Sequence, residues 1–358
     1  MKYSNKTLGY FPIIDCHTHS GNNIGSIENI MKIKENNCIK VINILSLTGS
    51  SIEKIDDNIL CMLFKKMYPE DIFIFAGLPY LLKENLDEGN DILKNLKKQI
   101  DNGFDGLKMI EGKPDVKKDL KYPLNSLMYY EMYDYLQKNK IPIIMHIADP
   151  ENFWDINKIP SWALENGWYY GGGTYPKKES IYGEINDILK NFPELKIIFA
   201  HFYFMSSDIE RASEFLEKWP GVSFDLTPGR EMYENFSKYP EKWREFFVKY
   251  QDRIMFGTDN TDDIEKGVSR INTIRLFLET EDTFKAWDLN INGIKLEKNV
   301  LTNIYSQNFE RYAGKTPKKI NNEFAIEECR RVLNIISHKG NINFNIDRTK
   351  YILERIKS

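Results

Sequence analysis

Eight short, near-continuously apolar runs alternate with helix-patterned stretches along this chain, and that alternation limits what it can fold into. The runs are IIDCHTH (13–19), KVINILSL (40–47), DIFIFAGL (71–78), FDGLKMI (104–110), IPIIMHIA (141–148), KIIFAHF (196–202), VSFDLTP (222–228) and RIMFGTDN (253–260). They are rich in β-branched residues and bounded by Gly, Pro or charge, the pattern of a strand. Strands that are apolar on both faces belong to a parallel sheet covered on both sides. Between them, DILKNLKKQI (91–100), LMYYEMYDYLQKN (127–139) and SSDIERASEFLEKW (206–219) space their apolar residues by three and four, as a helix does. Ser207 or Asp208 is placed to cap the last of these. Eight such units predict an α/β fold, a (β/α)8 TIM barrel. A doubly wound open sheet would need a Gly-rich phosphate turn after a strand, and none is present.

Two stretches exceed what a barrel needs. The connection from Asp149 to about Ser180 is too long for an ordinary βα loop. It is dense in aromatics, among them Phe153, Trp154, Trp162, Trp168, Tyr169, Tyr170 and Tyr175, and Gly171, Gly172 and Gly173 could serve as a hinge. It reads equally as a lid over a pocket and as a packed cap or dimer contact, so a homodimer is one expected assembly. The tail holds FAIEECRRVLNIIS (324–337) and RTKYILERIKS (348–358), two amphipathic patterns. The expected division is a barrel over 1–315 and a helical extension packed on it over 316–358.

Composition narrows the class. A net charge of −3 gives no footprint for nucleic acid or an anionic membrane. No apolar run approaches the ~18 residues of a membrane span, and the start has no apolar signal region. The four cysteines (Cys16, Cys38, Cys61 and Cys329) are widely spaced and read as reduced thiols, so a cytoplasmic protein acting on a small molecule is expected.

The chain has only five histidines, yet four fall at the C-terminal ends of expected strands, where barrel active sites lie. His17 and His19 end strand 1, and the period-two alternation of a strand points both imidazoles the same way. His146 is near the end of strand 5, His201 ends strand 6 and Asp259 ends strand 8. His338 lies in the tail and reads as a surface residue. The rim set of four histidines and Asp259 predicts a metal site.

These motifs carry a family resemblance. The chain resembles the amidohydrolase superfamily, in the branch that includes aminocarboxymuconate semialdehyde decarboxylase, resorcylate decarboxylase and pyrone dicarboxylate lactonase. The His-x-His of His17 and His19, His146 in IMHIADP, His201 in FAHF and Asp259 in FGTD carry the likeness, over roughly 13–314. The resemblance implies that His17, His19, His146 and Asp259 are the metal ligands and that Asp259 also accepts a proton from the metal's water. It implies that His201 orients the water or polarises the substrate carbonyl. The ligand types suit one Zn2+ per chain, with manganese, iron or cobalt as alternatives. In some superfamily members a strand 4 lysine is carboxylated and bridges two metals. Lys108 could do so here, or remain an ammonium that binds an anionic substrate. Glu111, Lys113, Trp154 and Arg230 complete the candidate substrate-binding residues, Arg230 because its planar fork suits a carboxylate or phosphate.

The expected activity is hydrolysis of an ester, lactone or amide of a small molecule by a metal-activated water. The alternatives are non-oxidative decarboxylation on the same metal, and a barrel that binds metal without catalysis.

Overall fold

The computed structural model describes residues 11–21, 23–78, 92–120, 122–338 and 343–358, the side chains of Ile52, His338 and 343–345 excepted. The expectation for His338 as a surface side chain therefore lies outside the described residues. Eight parallel strands run in chain order around one sheet. They are β1 (Ile13–His19), β2 (Ile39–Leu45), β3 (Ile72–Gly77), β4 (Gly106–Gly112), β5 (Ile143–Ile147), β6 (Ile197–Phe199), β7 (Val222–Asp225) and β8 (Ile254–Met255). Helices lie between them. A parallel bridge from Thr18 to Asn260 and a hydrogen bond from Cys16 N to the Phe256 carbonyl (2.9 Å) join β1 to the residues after β8. The fold is the TIM barrel expected from the alternation.

Two apolar layers hold it. Ile14, Cys16, Val41, Leu45, Phe73, Phe75, Ile144, Ile198 and Met255 alternate along their strands and form one cluster, the barrel interior. Phe309 plugs it, with its ring 5.3 Å from Phe73. Gly106 is required here: a Cβ would lie 2.7 Å from the Phe75 ring. The alternate residues, such as Ile13, Ile42, Ile74, Leu107, Met109 and Met145, face the helices in a second and larger cluster.

The strands end earlier than their apolar runs. β6 has three residues and β8 two. His201 and Asp259 therefore sit beyond the ladder in left-handed turns, with φ of +55° and +53°. The helix after β6 runs Ile209–Lys218, and Asp208 rather than Ser207 caps it, accepting from Arg211 N at 2.9 Å. An antiparallel hairpin, β9 (Thr283–Ala286) with β10 (Leu289–Asn292), had no counterpart in the sequence reading.

The tail forms helices Asn322–His338 and Asn343–Lys357, which pack on each other and on helix Asp57–Met67. Cys329, Val332, Ile352 and Ile356 join the larger apolar cluster. Arg348 pairs with the fully buried Asp56, its Nε 2.6 Å from Oδ2. Among the described residues no helix is long and apolar enough to cross a membrane.

Candidate metal centre

At the mouth of the barrel β1 changes register. Asp15 pairs with Ile42 and Thr18 with Ile44, so three residues of β1 oppose two of β2. This bulge lets Cys16 face the interior core while His17 turns into the mouth. His17 and His19 then present the same ring nitrogen to one carboxylate. His17 Nε2 lies 3.7 Å and His19 Nε2 3.1 Å from Oδ1 of Asp259.

The opposite nitrogens are held. His17 Nδ1 donates to Asp225 Oδ2 at 2.7 Å, with Thr227 Oγ1 at 3.1 Å, and His19 Nδ1 donates to the Leu45 carbonyl at 2.9 Å. With Nδ1 as the donor, each Nε2 keeps its lone pair for the mouth. Burial, with Lys108 nearby, lowers the pKa of His17 to about 4, so it is neutral at pH 7. Burial would raise Asp225, but His17 and His201 hold it at about 2. Burial would likewise raise Asp259, yet His19, His17 and Arg270 hold it well below the usual carboxylate range. Two imidazole nitrogens and one ionised carboxylate thus offer atoms that all lie within 4.8 Å of one another.

The Asp259 turn is secured from several sides. Its N–H donates to the His17 carbonyl at 2.7 Å. Arg270 Nη1 donates to the carbonyls of Thr258 and Asp259, and its Nη2 lies 3.6 Å from Asp259 Oδ2. Thr258 Oγ1 donates to the buried Asp15 carboxylate at 2.5 Å. Left-handed backbone is unfavourable for a residue with a Cβ, by about 1–2 kcal/mol, so these contacts offset real strain.

The profile of the family described as Amidohydrolase matches residues 68–308. The chain belongs to the amidohydrolase family. The matched span takes in His146, His201, Asp225 and Asp259, whereas His17 and His19 precede it. Solved structures with the same fold include an uncharacterised TIM-barrel protein from Bordetella bronchiseptica (12% identity, TM-score 0.54, 85% of this chain and 99% of that one). They include 4-oxalomesaconate hydratase from Rhodopseudomonas palustris (15%, 0.51, 85% and 96%). They also include 2,6-dihydroxybenzoate decarboxylase in complex with 2,6-dihydroxybenzoate (12%, 0.50, 84% and 98%). Comparison with curated proteins gives no match.

In this member of the family the remaining rim residues form a second group. His201 donates its backbone N–H to Asp225 Oδ1 at 2.8 Å, so one carboxylate holds both His17 and the β6 turn. The His201 ring stacks on Phe204, with centroids 5.2 Å apart, and lies 4.8 Å from the His146 ring and 5.8 Å from that of His17. Burial, with His146 beside it, lowers the pKa of His201 to about 3. His146 stands apart from the converging trio: its Nε2 is 3.3 Å from Asp149 Oδ1. Asp149 also accepts from the Tyr170 hydroxyl at 2.8 Å and lies 3.7 Å from Lys113 Nζ. The long loop is thereby tied to the rim. Its aromatics form their own small core around Phe153, Ala163 and Tyr170.

The candidate substrate residues separate as well. Lys108 and Glu111 are buried, at 2% and 1% exposure. Trp154 belongs to the loop core and donates Nε1 to the Pro176 carbonyl at 3.0 Å. Arg230 is exposed in the first turn of helix Arg230–Lys238. Asp149, Asp225, Thr227 and Arg270 were given no site role from sequence, and Tyr170 entered only among the aromatics of the long loop. For Asp225 and Asp149 the signal was present: each is an acidic residue at or just past a strand's C-terminal end, where Asp259 was found. Tyr170 and Arg270 reach the rim from a loop and a helix, where no spacing rule points to them.

Proposed function

We propose that the protein is a divalent-metal-dependent hydrolase that cleaves an ester, lactone or amide of a small molecule. The observation that carries this reading is the convergence of His17 Nε2, His19 Nε2 and the Asp259 carboxylate, with both Nδ1 atoms already engaged. The donor set fits a borderline cation such as Zn2+, because it pairs imidazole nitrogens, His17 among them neutral, with an ionised carboxylate. Such an ion, when bound, supplies Lewis acidity that polarises a carbonyl and lowers the pKa of water to near 7.

The chain's own groups supply the rest. Asp259 is ionised and faces the mouth, so it can accept a proton from an attacking water and return it to the leaving group. Arg270 occupies one edge of that carboxylate, which leaves the other edge toward His19. Asp225 fixes the His17 tautomer and the turn that carries His201. His201 is neutral and stacked, so it can hydrogen-bond a carbonyl oxygen without carrying charge. Asp149 and Tyr170 tie the long loop to the rim beside His146.

Non-oxidative decarboxylation is the second reading. It is favoured by the buried ammonium of Lys108, which suits a substrate carboxylate, and a decarboxylase shares the fold. Incubating metal-loaded protein with a panel of lactones, esters, amides and aromatic carboxylates separates the two. The hydrolase reading expects acid release from a lactone, ester or amide, lost in Asp259→Asn, with no carbon dioxide. Carbon dioxide release without hydrolysis overturns it in favour of the second.

A further inference from the structure

The chain turns left-handed for four consecutive residues after β6. His201, Phe202, Tyr203 and Phe204 have φ of +55°, +54°, +54° and +47°, and none is glycine. Residues with a Cβ visit this region singly, because each such step brings Cβ against the following carbonyl. A run of four is strained, and it persists only where its surroundings over-determine it. The run has a geometric consequence at the mouth. At about three residues per turn, side chains three apart stand in line. His201 and Phe204 thus share one face, with ring centroids 5.2 Å apart, and the His146 ring lies 5.7 Å from that of Phe204.

Contacts at three places hold the run. At its start, the His201 N–H donates to Asp225 Oδ1 at 2.8 Å. In its middle, Phe202 enters an aromatic cluster with Phe224, Phe236 and Trp243, at centroid distances of 4.8, 5.0 and 5.6 Å. At its end, two donors from one helix, Lys178–Asn191, take successive carbonyls. Tyr182 Oη donates to the Tyr203 carbonyl at 2.7 Å, and Lys178 Nζ donates to the Phe204 carbonyl at 3.3 Å. The two donors are four residues apart, so they share a helix face, and both side chains are buried. The Tyr182 ring also lies 4.6 Å from that of Tyr203. Lys178 has an ion pair as well, at 3.4 Å from Oε2 of the exposed Glu151. A Phe204 carbonyl turned the other way would leave this buried ammonium with its surface partner alone, which is costly.

We infer that Tyr182 and Lys178 are positioning residues for His201: by gripping the Tyr203 and Phe204 carbonyls they hold the strained run that stacks the His201 ring on Phe204 at the mouth. They act through the backbone of the turn and not on the imidazole itself. When a grip is removed, the strained residues relax toward ordinary backbone, and the alignment of His201 with Phe204 goes with them. The inference concerns where the His201 ring stands. It rests on the proposed function only for the carbonyl-binding role that the ring then serves.

The test is 1H–13C NMR of metal-free protein labelled at histidine, so its outcome does not depend on cation binding. His201→Gln assigns the His201 signal, and Phe204→Leu shows how far the Phe204 ring shifts it upfield. Tyr182→Phe removes one hydroxyl and keeps the ring against Tyr203. Lys178→Met removes the ammonium, and Lys178→Arg restores a donor. Thermal unfolding confirms that each variant is folded. In Tyr182→Phe and Lys178→Met the His201 signal should lose part of its upfield shift, while His19 on β1 stays in place and Lys178→Arg resembles wild type. The His201 and Met205 amides, bonded to Asp225 and to the Phe202 carbonyl, should exchange about 2- to 10-fold faster in Tyr182→Phe, the worth of one neutral hydrogen bond. A His201 shift and amide exchange unchanged in folded Tyr182→Phe overturn the inference, whether or not Lys178→Met folds. So does a wild type whose His201 signal is indifferent to Phe204→Leu, or a His19 signal that moves as far as that of His201. Failure of wild type to bind zinc would defeat the hydrolase reading without touching this result.

Discussion

Replacing Asp225 by Asn tests how the centre is built, since the change preserves shape and alters one oxygen. Oδ1 accepts two backbone N–H groups, from His201 at 2.8 Å and Thr227 at 3.1 Å. The amide oxygen of Asn can keep both. Its NH2 then faces His17 Nδ1, which now donates to Asp225 at 2.7 Å. Two donors cannot share that contact, so the imidazole must move its proton to Nε2, the nitrogen that points at Asp259. The lone pair that would ligate a cation is lost, together with the negative charge that makes His17 a better donor. Partners of this kind are worth 10- to 100-fold in metal affinity, about 1.4–2.7 kcal/mol. The assay is competition for zinc against a chromophoric chelator, with unfolding of the metal-free protein as a control. A zinc affinity within about twofold of wild type, in a folded variant, would refute the tautomer argument.

Other outcomes follow from contacts away from the trio. Arg348→Met leaves the Asp56 carboxylate buried and unpaired beneath the C-terminal helices, and should destabilise by about 3–5 kcal/mol in urea unfolding; a loss under about 1 kcal/mol contradicts that role. His17 and His201 have folded pKa values of about 4 and 3, below the unfolded value near 6.5. The unfolded chain therefore takes up these protons first, so as metal-free protein goes from about pH 6.5 toward 4 wild type should lose more stability than a folded His201→Gln variant, a comparison that cancels the opposite contribution of Asp15 and Glu231, which burial raises to about 7; equal profiles contradict the burial of His201 as a neutral ring. Tyr170→Phe removes the loop's hydrogen bond to Asp149 and should speed proteolytic cleavage within 150–177, with unchanged cleavage arguing that the aromatic cluster alone holds the loop.

Much of this fold was legible because a parallel barrel buries both faces of every strand. The apolar runs from β1 to β8 therefore stood out. So did the position of His17, His19, His201 and Asp259 at one rim. Other features depend on local backbone that no apolar pattern encodes. The β1 bulge that turns His17 away from the Cys16 face comes from pairing with β2. The left-handed turns at His201 and Asp259 occur at residues other than glycine, where composition gives no cue, and are held by Asp225 and Arg270 from distant strands and helices. His146 shows the same limit. Its position on β5 placed it at the rim, but no pattern announced Asp149, which the left-handed Ala148 brings to 3.3 Å from its Nε2.

The central claim is that His17, His19 and Asp259 hold a divalent cation at the mouth of the barrel. An anomalous difference map from a zinc-loaded crystal, recorded at the zinc absorption edge, tests it most directly. The expected result is one strong peak about 2.0–2.2 Å from His17 Nε2, His19 Nε2 and an Asp259 oxygen. A map with no peak there, or with its peak seated between His146 and Asp149, contradicts the account.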